Sequence, residues 1–219
     1  MKILVFDVET TGLPAYRNAR LSDTYNWPFV VQLSWLVYDT SNNRIVKVVD
    51  KIIRLPEGYG IKSESSKIHG ITTAKMLQYG VPLTPLLHEF MTDARTANVI
   101  VAHNIKFDRS MITVEQIRHG FQRTLSDLRR NWYCTMGSGT SLCNIRRVNK
   151  RTGKSYLKYP KLSELHERLF KTTPGNLHDS LIDILVCFRC FGMLAWGVDL
   201  LECNRNFVDR WDKAVKSSK

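Results

Sequence analysis

KILVFDVETTGLP, residues 2–14, is the stretch from which the rest of the chain is read. Lys2 to Val8 is apolar and rich in β-branched residues, and it stops at Thr10, Thr11, Gly12, Leu13 and Pro14, so it reads as a buried strand running into a turn. Asp7 and Glu9 stand two apart at the end of that strand, and a period of two places both on one face of a sheet. Two carboxylates so placed repel each other, and crowding them is costly unless a cation neutralises them. Taken alone, the pair fits a strand ending at the surface equally well.

Outward from this strand, Phe29 to Tyr38 alternates apolar residues with Gln32 and Ser34, and Arg44 to Arg54 alternates with Lys47, Asp50 and Lys51. Both predict strands, and the Ser41-Asn42-Asn43 cluster between them predicts an antiparallel hairpin. Ser63 to His69 and Thr73 to Tyr79 read as short helical turns. Thr84 to Ala97 has the apolar spacing of an amphipathic helix, with Thr84 as its cap and Pro85 at its first position. Asn98 to Ala102 is a short, fully apolar run typical of an interior parallel strand, and a helical stretch follows it to about Gly120. Trp132 to Met136 is a candidate strand, and polar, basic Gly137 to Lys158 suggests an excursion or flexible loop. Pro160 opens a helix through Phe170, Asn176 to Trp196 reads as a long helix, and Asn204 to Lys219 as a charged terminal helix or tail with Phe207, Trp211 and Val215 on one stripe. The sum is one α/β domain with a mixed sheet.

With 219 residues, 43% hydrophobic and 24% charged, the chain is long enough to bury a full core. No run approaches the roughly 18 apolar residues of a membrane span, and the start at Met1 to Val8 has the form of neither signal peptide nor anchor. Five scattered cysteines argue against a disulfide framework and for a reducing setting. The expectation is an intracellular protein, cytoplasmic or nuclear, not secreted, with no membrane partner. Cys187 and Cys190 form a CxxC inside an apolar stretch, with no second pair at zinc-site spacing. The formal charge of +12 points to a polyanionic partner. The excess is uneven: Arg146, Arg147, Lys150, Arg151, Lys154, Lys158, Lys161, Arg168 and Lys171 face only Glu164 and Glu167 between Asn144 and Lys171. A solvated loop would explain such a run as well as a binding surface would.

A basic protein that gathers acids at chosen places needs a reason. Asp108 follows the apolar strand in HNIKFD, near the start of the next helix, and Asp183 lies on the long helix with His178 five positions earlier. Residues five apart on a helix are about one and a half turns apart. His178 and Asp183 can therefore address one site only if His178 sits at or before the helix start, which the Pro174-Gly175-Asn176 entry allows.

FDVETTGLP, VAHNIKFD and HDSLIDILV, in that order, resemble the three motifs of the DEDDh family of 3′-to-5′ exonucleases in the ribonuclease H-like superfamily. IHGIT (68–72), CTM (134–136) and PKLSEL…LF (160–170) resemble its intermotif segments, so the likeness runs from about Lys2 to about Trp196. Position 179 is Asp where the sister group has Tyr, and Ser180 stands where the family usually has Ala. The resemblance implies an α/β fold with a mixed five-stranded sheet flanked by helices, an exonuclease domain over 1–196, and a basic helix or tail over 197–219. It implies Asp7, Glu9, Asp108 and Asp183 as ligands of two divalent cations, Mg²⁺ or Mn²⁺. Such ions, about 4 Å apart, stabilise the attacking and leaving oxygens of phosphodiester hydrolysis. His178 would take the proton from the attacking water. Thr10, Thr11, Gly12 and Leu13, with Ile68, His103, Asn104 and Phe107, would hold the terminal nucleotides by backbone groups and sequence-tolerant apolar contacts. Core packing accounts for Ile68 equally well, and a structural role for Asn104. Arg146, Arg147, Lys150, Arg151 and Lys154 would follow the backbone beyond the site.

The expected activity is release of nucleoside 5′-monophosphates from DNA 3′ ends, whether single-stranded or at the end of a duplex. RNA, a DNA polymerase and a second copy of the chain are further partners that family members have. An exoribonuclease on the same fold is the first alternative, since a contact to the 2′-hydroxyl is not legible in sequence. A catalytically idle nucleic-acid-binding module is the second, and four carboxylates that repel such a ligand argue against it.

Overall fold

The computed structural model describes residues 1–174 and 179–217, with side chains to 214. Strand β1 (Lys2–Thr10) pairs antiparallel with β2 (Val30–Asp39), which pairs antiparallel with β3 (Arg44–Ile52). Helices α1 (Ser63–His69), α2 (Thr73–Tyr79) and α3 (Leu83–Thr96) lead to β4 (Val99–Ala102), parallel to β1. Helix α4 (Ile105–Arg118) then crosses to β5 (Asn131–Cys134), parallel to β4. The result is the expected mixed five-stranded sheet, in the order β3-β2-β1-β4-β5. Beyond it come α5 (Thr135–Cys143), a two-stranded ribbon of β6 (Arg146–Val148) and β7 (Ser155–Leu157), α6 (Leu162–Phe170), α7 (Ser180–Trp196), α8 (Leu200–Cys203) and α9 (Arg205–Ser217).

Two cores lie on the two faces of the sheet, and β1 divides its side chains between them by the strand period. Leu4, Phe6 and Val8 pack with Leu87 and Phe90 of α3 and Met111 and Ile112 of α4. Ile3 and Val5 pack with Ile184 and Phe188 of α7 and Phe207 of α9. Asp7 and Glu9 continue this second row, so they stand where apolar packing against α7 gives out. The core continues past Trp196: Phe207 is fully buried, and Trp211 lies over the Arg189 guanidinium and stacks with His166. Arg189 in turn forms a two-point pair with Asp199, at 2.6 and 2.8 Å. The Val215 side chain lies outside the described residues. Among the described residues, no helix is long and apolar enough to cross a membrane.

Three local expectations need correction. The helix expected with Thr84 as its cap starts two residues earlier, at Leu83 after Pro82, and the Thr84 hydroxyl bonds His119 Nδ1 at 2.9 Å instead of capping. The strand expected at Trp132 to Met136 ends at Cys134. The excursion expected over 137–158 is for the most part ordered as α5 and the ribbon. Gly137, Ser138, Gly139 and Ser141 weaken helix propensity, yet α5 forms because it packs on α6. A side chain at Gly139 would bring its Cβ within 2.5 Å of Leu165, so the glycine that lowers propensity permits the contact. The Asn176 start of the long helix lies outside the described residues, and α7 runs from Ser180.

Candidate active site

The site forms where β1 outruns its parallel neighbour. The β1–β4 pairing extends to Val5↔Val101, and β4 ends at Ala102, while β1 goes on to Thr10. The Val8 N–H is taken up by the Asp108 carboxylate in the first turn of α4, at 3.3 Å. From the other side, the buried Ser180 hydroxyl at the start of α7 donates to the Asp7 carbonyl at 3.0 Å, docking that helix end on β1. Asp183 follows Ser180 by three positions, nearly one helical turn, and so returns to the same side. Asp7, Glu9 and Asp183 each offer a carboxylate oxygen, and these three lie within 4.8 Å of one another. Asp108 is 3% exposed and stands outside that trio, close enough to load it electrostatically.

Burial first, and then the charges of Asp108, Asp183 and Glu9, push Asp7 well above the usual carboxylate range. Burial, with Asp183, Asp108 and Asp179, pushes Glu9 up to about 8. Burial raises Asp108 to about 8 against the opposing Val8 amide. The buried Asp7 Oδ2 has no hydrogen-bond partner among the described residues. Hard oxygen donors, mutual repulsion and an unsatisfied buried acceptor at one point fit a divalent cation, which would satisfy that acceptor and reverse the repulsion.

His178 lies outside the described residues. Asp179 caps α7, accepting from Leu181 N at 3.0 Å. The turn after β1 is held by Thr11, whose N–H donates to Phe29 O at 2.9 Å and whose Oγ1 accepts from Phe29 N at 3.0 Å. Thr10 Oγ1 donates to Gly12 O at 2.7 Å, and Gly12 takes φ 154°, a conformation that favours glycine. The Ser65 hydroxyl donates to Thr11 O at 2.8 Å and ties α1 to this turn. Leu13 is 80% exposed and Ile68 59%, so neither is spent on the core. Phe107 is half-buried against the first core, and Asn104 is exposed in a left-handed conformation at the start of α4.

His103 is committed inside the protein. Its Nε2 lies 3.1 Å from Pro160 O, which can only accept, so Nδ1 accepts from the Thr135 hydroxyl at 3.0 Å. Burial drives it down to about 4, so it stays neutral and joins β4, α5 and the chain entering α6. Arg146, Arg147, Lys150, Arg151 and Lys154 are all exposed on the β6–β7 ribbon. A polar row on β2 and β3 escaped the sequence reading. Ser34 pairs with Asp7 and with Asp50, and Gln32 pairs with Glu9. Ser34 and Gln32 both donate to Asp50, at 2.6 and 2.7 Å, although both are buried. The signal for this row was the interruption of an apolar strand at Gln32 and Ser34, which the alternation disguised as a solvent face.

Residues 4–191 match the sequence model of the RNase_T family, described as exonuclease. No curated protein matches the sequence. Among solved structures, the chain is similar to a moderately thermophilic exonuclease I from Methylocaldum szegediense, at 17% identity and a TM-score of 0.60, over 94% of this chain and 42% of that one. It is similar to E. coli exonuclease I in complex with a dA16 oligonucleotide, at 13% and 0.59, over 95% and 42%. It is also similar to exonuclease X in complex with 5′ overhanging duplex DNA, at 20% and 0.51, over 95% and 99%. The chain thus spans less than half the length of the exonuclease I structures, and at these identities the likeness is one of fold.

Proposed function

This chain belongs to the RNase_T exonuclease family, and from that premise we propose that it shortens DNA from the 3′ end, one nucleotide at a time. Water adds to the terminal phosphorus, the bond to the upstream 3′ oxygen breaks, and a nucleoside 5′-monophosphate leaves a strand ending in a 3′-hydroxyl. The observation that carries this reading is the convergence of Asp7, Glu9 and Asp183 within 4.8 Å, with Asp7 Oδ2 lacking a partner among the described residues.

Asp7, Glu9 and Asp183, with Asp108 behind them, would hold two divalent cations, Mg²⁺ or Mn²⁺. Bound cations of this kind neutralise the carboxylates and stabilise charge on the attacking and leaving oxygens. The chain's own groups do the rest. Ser180 and Val8 fix the site by their bonds to Asp7 and Asp108. Leu13 and Ile68 present apolar side chains to the last bases, and the Thr10–Leu13 turn lines the approach to the acids. His178 would accept the proton of the attacking water, a task suited to a group titrating near neutrality. DNA as the substrate is supported by the similar structures solved with oligonucleotides and duplex DNA.

The test is digestion of 3′-labelled and 5′-labelled single-stranded DNA and RNA with Mg²⁺, Mn²⁺ or EDTA, by the wild type and by Asp7→Ala and His178→Ala. Metal-dependent shortening from the 3′ end, abolished by both substitutions and faster on DNA, is the expected result. Faster trimming of RNA would make the protein an exoribonuclease, and cleavage of neither polymer would overturn the enzymatic reading.

A further inference from the structure

The β6–β7 ribbon has a composition unlike any other part of the chain. Residues 144–163 contain seven lysines and arginines and no acid. Lys158 pairs with Glu164 at 2.6 Å, and no other ion pair involves this stretch among the described residues. Apolar and aromatic side chains stand in the open among these cations: Val148 is 62% exposed, Tyr156 52% and Tyr159 62%.

The register sorts them. Arg147 is directly opposite Tyr156, so the two share a face, and Lys154, two positions from Tyr156, lies on that face too. The Asn149 N–H donates to Lys154 O at 2.9 Å and carries the ladder on to the tip. There Asn149 Oδ1 accepts from the backbone of Arg151 and Thr152, and Gly153 turns at φ 67°. The ribbon is a formed element, so little ordering would be needed for a ligand to use it. Its root is tied to the chain that leads from β4 into the helix carrying Asp108. The Lys158 N–H donates to Ile145 O at 2.8 Å, and two residues later Pro160 O accepts from His103, five positions before Asp108.

A cation, an aromatic ring and a second cation on one exposed face match the repeat of a single-stranded polyanion with flat bases. We propose that this ribbon binds the single-stranded DNA upstream of the 3′ end, with a base stacked on Tyr156 and flanking phosphates on Arg147 and Lys154. The assignment rests on the exonuclease reading for the strand's direction. It makes the ribbon a grip that only strands long enough to reach it can use.

The experiment is fluorescence anisotropy of the 219-residue chain with labelled oligothymidylates of four to sixteen nucleotides, in EDTA. Wild-type affinity is expected to rise with length. Tyr156→Ala should weaken the sixteen-mer by about tenfold, with a deficit that grows with length, whereas Tyr156→Phe, which keeps the ring, should bind like the wild type. Arg147→Gln should reduce the slope of log affinity against log salt by about 0.7, the loss of one phosphate contact on a single strand. Equal deficits at four and sixteen nucleotides, no deficit at all, or Tyr156→Phe binding as poorly as Tyr156→Ala would each overturn the proposal. Cleavage in Mg²⁺ judges the exonuclease reading and binding in EDTA judges the ribbon, so each can fail without the other.

Discussion

The end of β1 and the β6–β7 ribbon both gather like charges, and water treats the two clusters oppositely. At the end of β1, Asp7, Glu9, Asp108 and Asp183 are drawn together by the starts of α4 and α7, and burial is the largest cause of the shifts on Asp7, Glu9 and Asp108. On the ribbon, five cations stand exposed around a hydrogen-bonded turn. Repulsion in a low-dielectric pocket persists over short distances, whereas in water it is screened within roughly 8–10 Å. A buried acid cluster therefore stores a demand for a cation, and an exposed basic cluster stores almost nothing until a polyanion arrives.

The sharpest way to break this contrast is Asp7→Asn. Removing one carboxylate removes both a cation ligand and a source of repulsion. Activity in Mg²⁺ is expected to fall at least about a hundredfold, while the melting temperature in EDTA, measured on the alkaline side where these acids are ionised, rises by about 2–4 °C. Steady-state cleavage and thermal melts read the two effects, and a metal-free variant less stable than the wild type would contradict the stored repulsion.

A smaller effect follows from pH. In the metal-free protein Glu9 is raised from 4.5, and Asp108 from 3.8, each to about 8. Between those values the folded state holds more protons than the unfolded chain, so stability is highest on the acid side and declines as pH rises toward 8. Melts at pH 5, 6.5 and 8 in EDTA should show that decline. Saturating Mg²⁺ should raise the melting temperature more at pH 8 than at pH 5, since at low pH it must displace protons. A metal-induced shift that is the same at all three values would rule out these acids as its ligands.

What could be read from sequence divides along the same line. Asp7 and Glu9 were legible because a strand's period is local, and Asp108 and Asp183 through the motifs that carry them. Gln32, Ser34 and Asp50 were not, because their place beside Asp7 and Glu9 depends on the register of three strands, which no short window contains. His103 read as a nucleotide contact, yet its partners Thr135 and Pro160 are 32 and 57 positions away. The ribbon was legible as charge and not as structure. Its strands are three residues each, too short to show an alternation.

Ser180→Ala probes the support of the acid cluster without removing a carboxylate. The hydroxyl is buried and donates to the Asp7 carbonyl, so its loss is expected to cost about 1 kcal/mol in denaturant unfolding. It leaves all four acids in place, so activity should fall far less than in Asp7→Asn. A loss of activity as large as that of Asp7→Asn would mean that the hydroxyl takes part in the reaction rather than in holding α7 against β1.

The smallest stability effect belongs to the ribbon. Lys150 and Arg151 stand at its tip, exposed, with no acidic partner among the described residues. The turn they sit in is held by the Asn149 side chain and by Gly153, neither of which depends on those charges. Replacing both with Gln should therefore move the melting temperature by less than about 2 °C, as exposed substitutions away from packing do. The same double variant should lose affinity for long single strands, and lose more of it at low salt than at high, because the missing contribution is counterion release. If Lys150→Gln/Arg151→Gln unfolded several degrees early, the tip charges would be structural, and the contrast between a strained buried cluster and an unstrained exposed one would fail at its exposed end.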